Sequence, residues 1–244
     1  NGVVGHNKMD LALESQTPAF EQLLAWFEWL PSASMRSQLV GSARLKGQLT
    51  GPLSAGPRLE INEFEVQLSQ VRGTFQGDIF FKNEERDWSA VLEMTASTQD
   101  ISQFPGHGAL WDHFAGPAAL QSMVLINPQD MVLSNAIFSV TGEPFKLKAE
   151  GQVTHRWDGS GTEGKVKFSA TTRAVRPTLD ALGYSFPLLG QGQAAGRLNL
   201  HKRGFSVTEL TIHGAGDGWR VDGGGQLVRK DPQDDAQLAI TLDA

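Results

Sequence analysis

"FKLKAEGQV" occupies residues 145–153, and its reading decides the fold. Phe145, Leu147, Ala149, Gly151 and Val153 alternate with Lys146, Lys148, Glu150 and Gln152. A period of two sends the first set to one side of a strand and the second to the other, which predicts a strand buried on one face. "VRGTFQGDI" at 71–79 and "WRVDGGGQL" at 219–227 stand 74 residues to either side. Both alternate alike: Val71, Gly73, Phe75, Gly77 and Ile79 in one, and Trp219, Val221, Gly223, Gly225 and Leu227 in the other.

The same spacing links Leu92, Val166 and Ile240, and again Met94, Phe168 and Leu242. The strand before each nonamer carries a second signature, with apolar residues stepped by two, three and two: Leu59, Ile61, Phe64, Val66; Met131, Leu133, Ala136, Phe138; Phe205, Val207, Leu210, Ile212. A three-residue step inside a two-residue alternation is the mark of a β-bulge, one extra residue that restores the face beyond it. The first copy is two residues short, which a shorter hairpin before Val71 accounts for. Each unit thus reads as a helix-like segment followed by four strands.

The expected fold is mostly β, with antiparallel four-strand units curled into a groove or an open barrel or sandwich, and one short helix per ~74-residue unit. The chain reads as one repeat domain, 1–244, with a truncated unit at 1–15 and units at 16–97, 98–172 and 173–244. A leading strand is expected at 9–15. The other strands are expected near 41–50, 58–69, 71–81, 88–97, 117–125, 131–140, 144–154, 164–173, 192–201, 204–213, 218–229 and 237–244. The helices are expected at 18–30, with Thr17 as N-cap and Pro18 at the first position, somewhere in 101–115, and at 176–183 with Gly183 as stop.

Composition narrows the function. The 244 residues carry a net charge of −6, with 21 Lys and Arg against 27 Asp and Glu. These basic residues are spread along the chain and give no concentrated surface for a nucleic acid, so no nucleic-acid partner is expected. The absence of cysteine removes disulfides and thiolate chemistry and suits an oxidising compartment. The longest apolar stretch, 23–30, is too short to cross a bilayer. A first residue of Asn1 suggests excision from a longer protein.

Four strands at about 4.8 Å make a sheet about 19 Å wide, and a helix about 10 Å across roofs only half of it. The remaining apolar face must be buried, because each Å² is worth roughly 25 cal/mol. The sheet either closes on itself or curls into a trough filled by something apolar.

The order of parts in "FSATTRAVRPTLDALGYSFPLLGQGQAAGRLNL" (168–200) and "FSVTELTIHGAGDGWRVDGGGQL" (205–227) resembles the AsmA-like proteins of the Gram-negative envelope, those of the AsmA, TamB and YhdP types. The same order runs through "LALESQTPAFEQLLAWFEWLP", "GSARLKGQLTGP" and "LEINEFEVQLSQVRGTFQGDI". The resemblance rests on pattern over most of the chain. It implies a fragment or domain of a periplasmic protein, tethered to the inner membrane through a segment outside this chain. It further implies an apolar β-groove that conducts phospholipid between the membranes, with no catalysis, no cofactor, and other envelope proteins as further partners. The groove-lining candidates are Phe75, Ile79, Leu92 and Met94 in the first unit, and Phe145, Leu147, Val153, Val166 and Phe168 in the second. In the third they are Val221, Leu227, Ile240 and Leu242. The competing expectation is a β-scaffold with a closed core that binds a protein partner through its edge strands.

Motifs for chemistry are weak. "GSGTEGK" (159–165) has the G-x-x-x-x-G-K spacing but lacks the following Ser or Thr and precedes a strand, so it reads as a hairpin loop. "GQGQAAG" (190–196) reads as a flexible link. "HGALWDHF" brings His107, Asp112 and His113 together without a third spaced ligand, and reads as a loop. The acidic pairs Glu84–Glu85 and Asp234–Asp235 read as solvated turns. Trp26 and Trp29 read as packing over a sheet end or as contact with a membrane surface.

Overall fold

The computed structural model describes residues 2–5, 8–18, 40–52, 56–82, 87–103, 115–181, 189–202, 204–230 and 237–243. The protein is mostly β. It divides into two compact units, residues 1–98 with 121–131, and residues 99–120 with 132–244. The first holds β1 (Gly2–Gly5), β2 (Lys8–Thr17), β3 (Gly41–Gly51), β4 (Arg58–Leu68), β5 (Val71–Phe81) and β6 (Trp88–Thr98). It also holds residues 121–126 of β7 (Ala118–Ile126). The second holds β8 (Asp130–Val140) from residue 132, β9 (Phe145–Arg156), β10 (Gly161–Thr172) and β11 (Gln191–His201). β12 (Gly204–Gly216), β13 (Trp219–Arg229) and β14 (Gln237–Asp243) complete it.

From β1 to β6, and again from β9 to β14, each strand pairs antiparallel with the next in the chain. Residues 69–70 join β4 to β5 and residues 217–218 join β12 to β13, links too short for a crossover, whereas residues 18–40 and 173–190 join β2 to β3 and β10 to β11 and leave the neighbours to be chosen by the pairing itself.

The bulges fall at the three-residue steps. In β4 the pairing with β5 shifts between Ile61 and Phe64, and in β12 the pairing with β13 shifts between Val207 and Leu210. Glu209, at φ 53°, sits in the β12 bulge, and Asn135, at φ 52° in β8, is left-handed 74 positions earlier. β4 spans 11 residues and β12 spans 13, and the difference is the shorter hairpin expected before Val71.

The helical expectations fare differently. Thr17 is the last residue of β2 and pairs with Ala43, because the alternation continues past residue 15; the helix it was expected to cap lies outside the described residues. Residues 19–30 of the first expected helix, with Trp26 and Trp29, lie outside the described residues. In the second region, Ile101–Gln103 form a single 3₁₀ turn, residues 104–114 lie outside the described residues, and residue 115 is in neither a helix nor a strand. The Asp100 carboxylate accepts hydrogen bonds from Ser102 N at 3.0 Å, Ser102 Oγ at 2.8 Å and Gly116 N at 3.0 Å, which caps the start of the turn and ties it to the residues before β7. The third is α1 (Val175–Ala181), with Gly183 outside the described residues. "GQGQAAG" is not a flexible link. Its residues from 191 onward are strand β11, held by β10 and β12 on both sides, because small residues fit a ladder between bulky neighbours.

Buried cores are small. In the first unit Ala43, Ile61, Val66, Ala90, Leu92 and Val124 are buried. In the second, Ile101, Ala118 and Val140 form a cluster against which Phe138, Phe145 and Leu147 pack.

The left-handed φ of Glu209 costs its L side chain about 1 kcal/mol, and the exposed Arg197–Glu209 pair at 2.9 Å returns only a few tenths. Glu209→Gly is therefore expected to raise stability by about 0.5–1 kcal/mol in urea unfolding, whereas Glu209→Val lowers it by about 1 kcal/mol.

Candidate functional site: the apolar sheet faces

Directly opposed residues in an antiparallel ladder share a face, so the register sorts the candidates. In the first unit Phe75 opposes both Phe64 and Met94, Leu92 opposes Gly77, and Ile79 opposes Leu59 and Ala90. Those rows continue into β3 through Leu45, opposite Phe64, and Leu49, opposite Leu59. The Phe64 and Phe75 rings stand 5.6 Å apart and are tilted by 36°. All four candidates of this unit therefore lie on one face.

In the second unit Leu147, Ala170, Ala194, Ile212 and Gly223 form one row, whose last register position is Leu242. Phe145, Thr172, Gly192, Gly214 and Val221 form the next. Val166 lies between Gly151 and Leu198, and Phe168 between Ala149 and Gly196. Val153 opposes Gly164, Leu227 opposes Val207, and Ile240 takes the position opposite Gly225. These rows place the described candidate side chains of the second unit on one face too. Reading candidates by the 74-residue offset missed Phe64, Leu198, Leu210 and Ile212, which share these faces. The stepped apolar pattern of the bulged strands is the signal that finds them.

The faces are greasy but not sealed. Among the candidates with described side chains only Leu92 is buried, at 7% exposure; the rest are half-buried. Aromatic rings lie over glycines of the neighbouring strand. A Cβ on Gly196 would sit 3.2 Å from the Phe168 ring, and one on Gly214 would sit 2.8 Å from the Trp219 ring. The Trp219 indole N–H donates to the Leu189 carbonyl at 2.8 Å, which fixes the ring there.

The opposite faces are polar. In the first unit Arg44–Glu14, Lys46–Glu63, Arg58–Asp78 and Arg72–Glu65 pair at 3.1, 3.3, 2.7 and 3.3 Å. In the second, Lys148 holds the Glu150 carboxyl below its ordinary range. The Asp222 carboxyl is likewise depressed, first by the hydrogen bond from His213 Nδ1–H at 2.6 Å and then by Arg220 at 2.8 Å.

Residues 157–160 of "WDGSGTEG" form a turn and Gly161 opens β10, so the G-x-x-x-x-G-K stretch is a β-hairpin. His107, Asp112, His113, Glu84, Glu85, Asp234 and Asp235 lie outside the described residues. Among the described residues no group of three or more His, Asp or Glu side chains is placed to hold a metal ion. No described helix is long and apolar enough to cross a membrane, which says nothing of strands. Compared with known proteins, the chain matches no family model, no curated protein and no solved structure.

Two outcomes follow. Gly214→Ala forces the Trp219 ring to move and is expected to cost about 1–2 kcal/mol. Adding Trp219→Leu should then cost less than it does alone, a coupling read from a double-mutant cycle in urea. Asp222 is expected to titrate below the ordinary aspartate range by carboxyl carbon NMR, and His213→Gln should return it upward. Because the folded value is the depressed one, its contribution to stability is full above the ordinary range and is lost as pH falls through the folded value.

Proposed function

We propose that this chain is an apolar-groove domain of an AsmA-like envelope protein that binds phospholipid acyl chains and lets them slide between the two membranes, without catalysis. The observation that supports this reading is the run of half-buried Phe, Leu, Ile and Val rows on one face of each unit. A closed core of this length would hold such side chains nearly dry. Acyl chains pressed on such a face are desolvated and meet no directional bonds, so movement along it crosses only small barriers. On this reading the chain is a repeat of four-strand units, each opened by a short helix. The bulges near Phe64 and Leu210, and the left-handed Asn135 and Glu209 at a 74-residue spacing, support it. Periplasmic placement and tethering through a segment outside this chain belong to the same proposal.

Organic extracts of the purified protein are expected to contain phospholipid by mass spectrometry. Phe168→Asp or Phe75→Asp should lower bound lipid at least several-fold while the far-ultraviolet circular dichroism stays that of a β protein. Lipid-free protein that unfolds on either substitution would instead mean a closed core, the scaffold that binds a protein partner through its edges.

A further inference from the structure

The polar face of the second unit carries a cleft that the apolar-face reading does not use. It has a volume of about 550 Å³ and lies across five strands. Its floor follows one cross-strand row: Lys146, Thr171, Gln193, His213 and Asp222. Charge is concentrated at the two ends. At the β9 end Glu143 is shared by Lys146 at 3.6 Å and Arg173 at 3.5 Å. At the β13 end Asp222 is shared by His213 at 2.6 Å and Arg220 at 2.8 Å. Three cations, Lys146, Arg173 and Arg220, face two carboxylates, so the cleft carries surplus positive charge before His213 is counted. The side chains of Arg173 and Arg220 are 76% and 79% exposed and can turn onto a ligand without breaking a packed core. Between the ends lie Thr171 and Gln193, which supply both donors and acceptors but no charge.

We propose that this cleft binds an extended acidic peptide segment with carboxylates at both ends of about four to six residues. Arg173 follows β10 and its side chain reaches back to Glu143 beside β9, so three to four strand spacings separate its guanidinium from β13, about 14–19 Å at ~4.8 Å each, which an extended chain at ~3.3 Å per residue covers in about four to six residues. The end carboxylates meet the Arg173 and Arg220 guanidiniums, whose planar forks match them. The backbone amides between lie over the Thr and Gln floor. A single phosphate headgroup reaches one end only.

The test is fluorescence anisotropy of the full chain at low salt with a fluorescein-labelled Glu-Glu-Ser-Gly-Ser-Gly-Glu-Glu peptide. Saturable binding in the micromolar to sub-millimolar range is expected. Arg173→Gln and Arg220→Gln should each weaken it about 3- to 10-fold, and Lys165→Gln, on the same face outside the cleft, by less than 2-fold. A peptide with Gln-Gln at one end should bind more weakly and lose its dependence on one of the two arginines. All three substitutions are at exposed positions, and circular dichroism checks that each variant is folded. Absence of binding at millimolar peptide overturns the proposal. So does a loss at Lys165→Gln equal to that at the arginines. Arginine-dependent binding to phosphatidylglycerol vesicles without peptide binding also overturns it, since it would make the cleft a lipid-surface contact.

Discussion

The structure depends on register. In a ladder where side chains alternate, a slip of one residue sends a whole strand's apolar set into water. β4 shows how narrowly this is avoided. Leu59 and Ile61 face one way, and without an extra residue Phe64 and Val66 would face the other. The bulge inserts that residue, and both neighbours shift to match: β3 between Lys46 and Gly47, and β5 across Ile61 and Phe64. Phe64 then meets Leu45 and Phe75 instead of the charged face. β12 repeats the correction against β11 and β13.

Other interactions refine what register decides. The exposed ion pairs on the polar side of the first unit are screened by solvent and do not hold the sheet together. Their value is selective, since Arg44 opposite Glu65 and Lys46 opposite Glu63 would meet different partners after a slip. On the apolar side, rings over glycines do the complementary work. Phe168 across from Gly196, and Trp219 beside Gly214, fill places where a neighbour has no side chain and restore contact that glycine forfeits.

Much of this was legible from the chain. The strand expected at 71–81 has those bounds, and the others differ by a few residues at most, because alternation records burial on one face directly. Faces were legible for the same reason, and bulges because they break the alternation by one. What failed had a local cause. "GQGQAAG" looked like a link because glycine and glutamine carry little strand propensity, yet β10 and β12 supply the pairing that propensity does not. The polar cleft was hard to read in the sequence, since its row takes one residue from each of five strands, 9 to 25 positions apart along the chain.

Within each unit every strand is bonded only to the strands before and after it in the chain. Ordering a hairpin such as β4–β5 or β12–β13 therefore closes a loop of only two residues, which costs little entropy. Assembly can begin at any such turn and spread outward as a zipper does, each new strand adding to a template already in place. The same connectivity makes length a free variable for evolution: duplicating a pair of neighbouring strands lengthens the ladder without inverting the faces on either side.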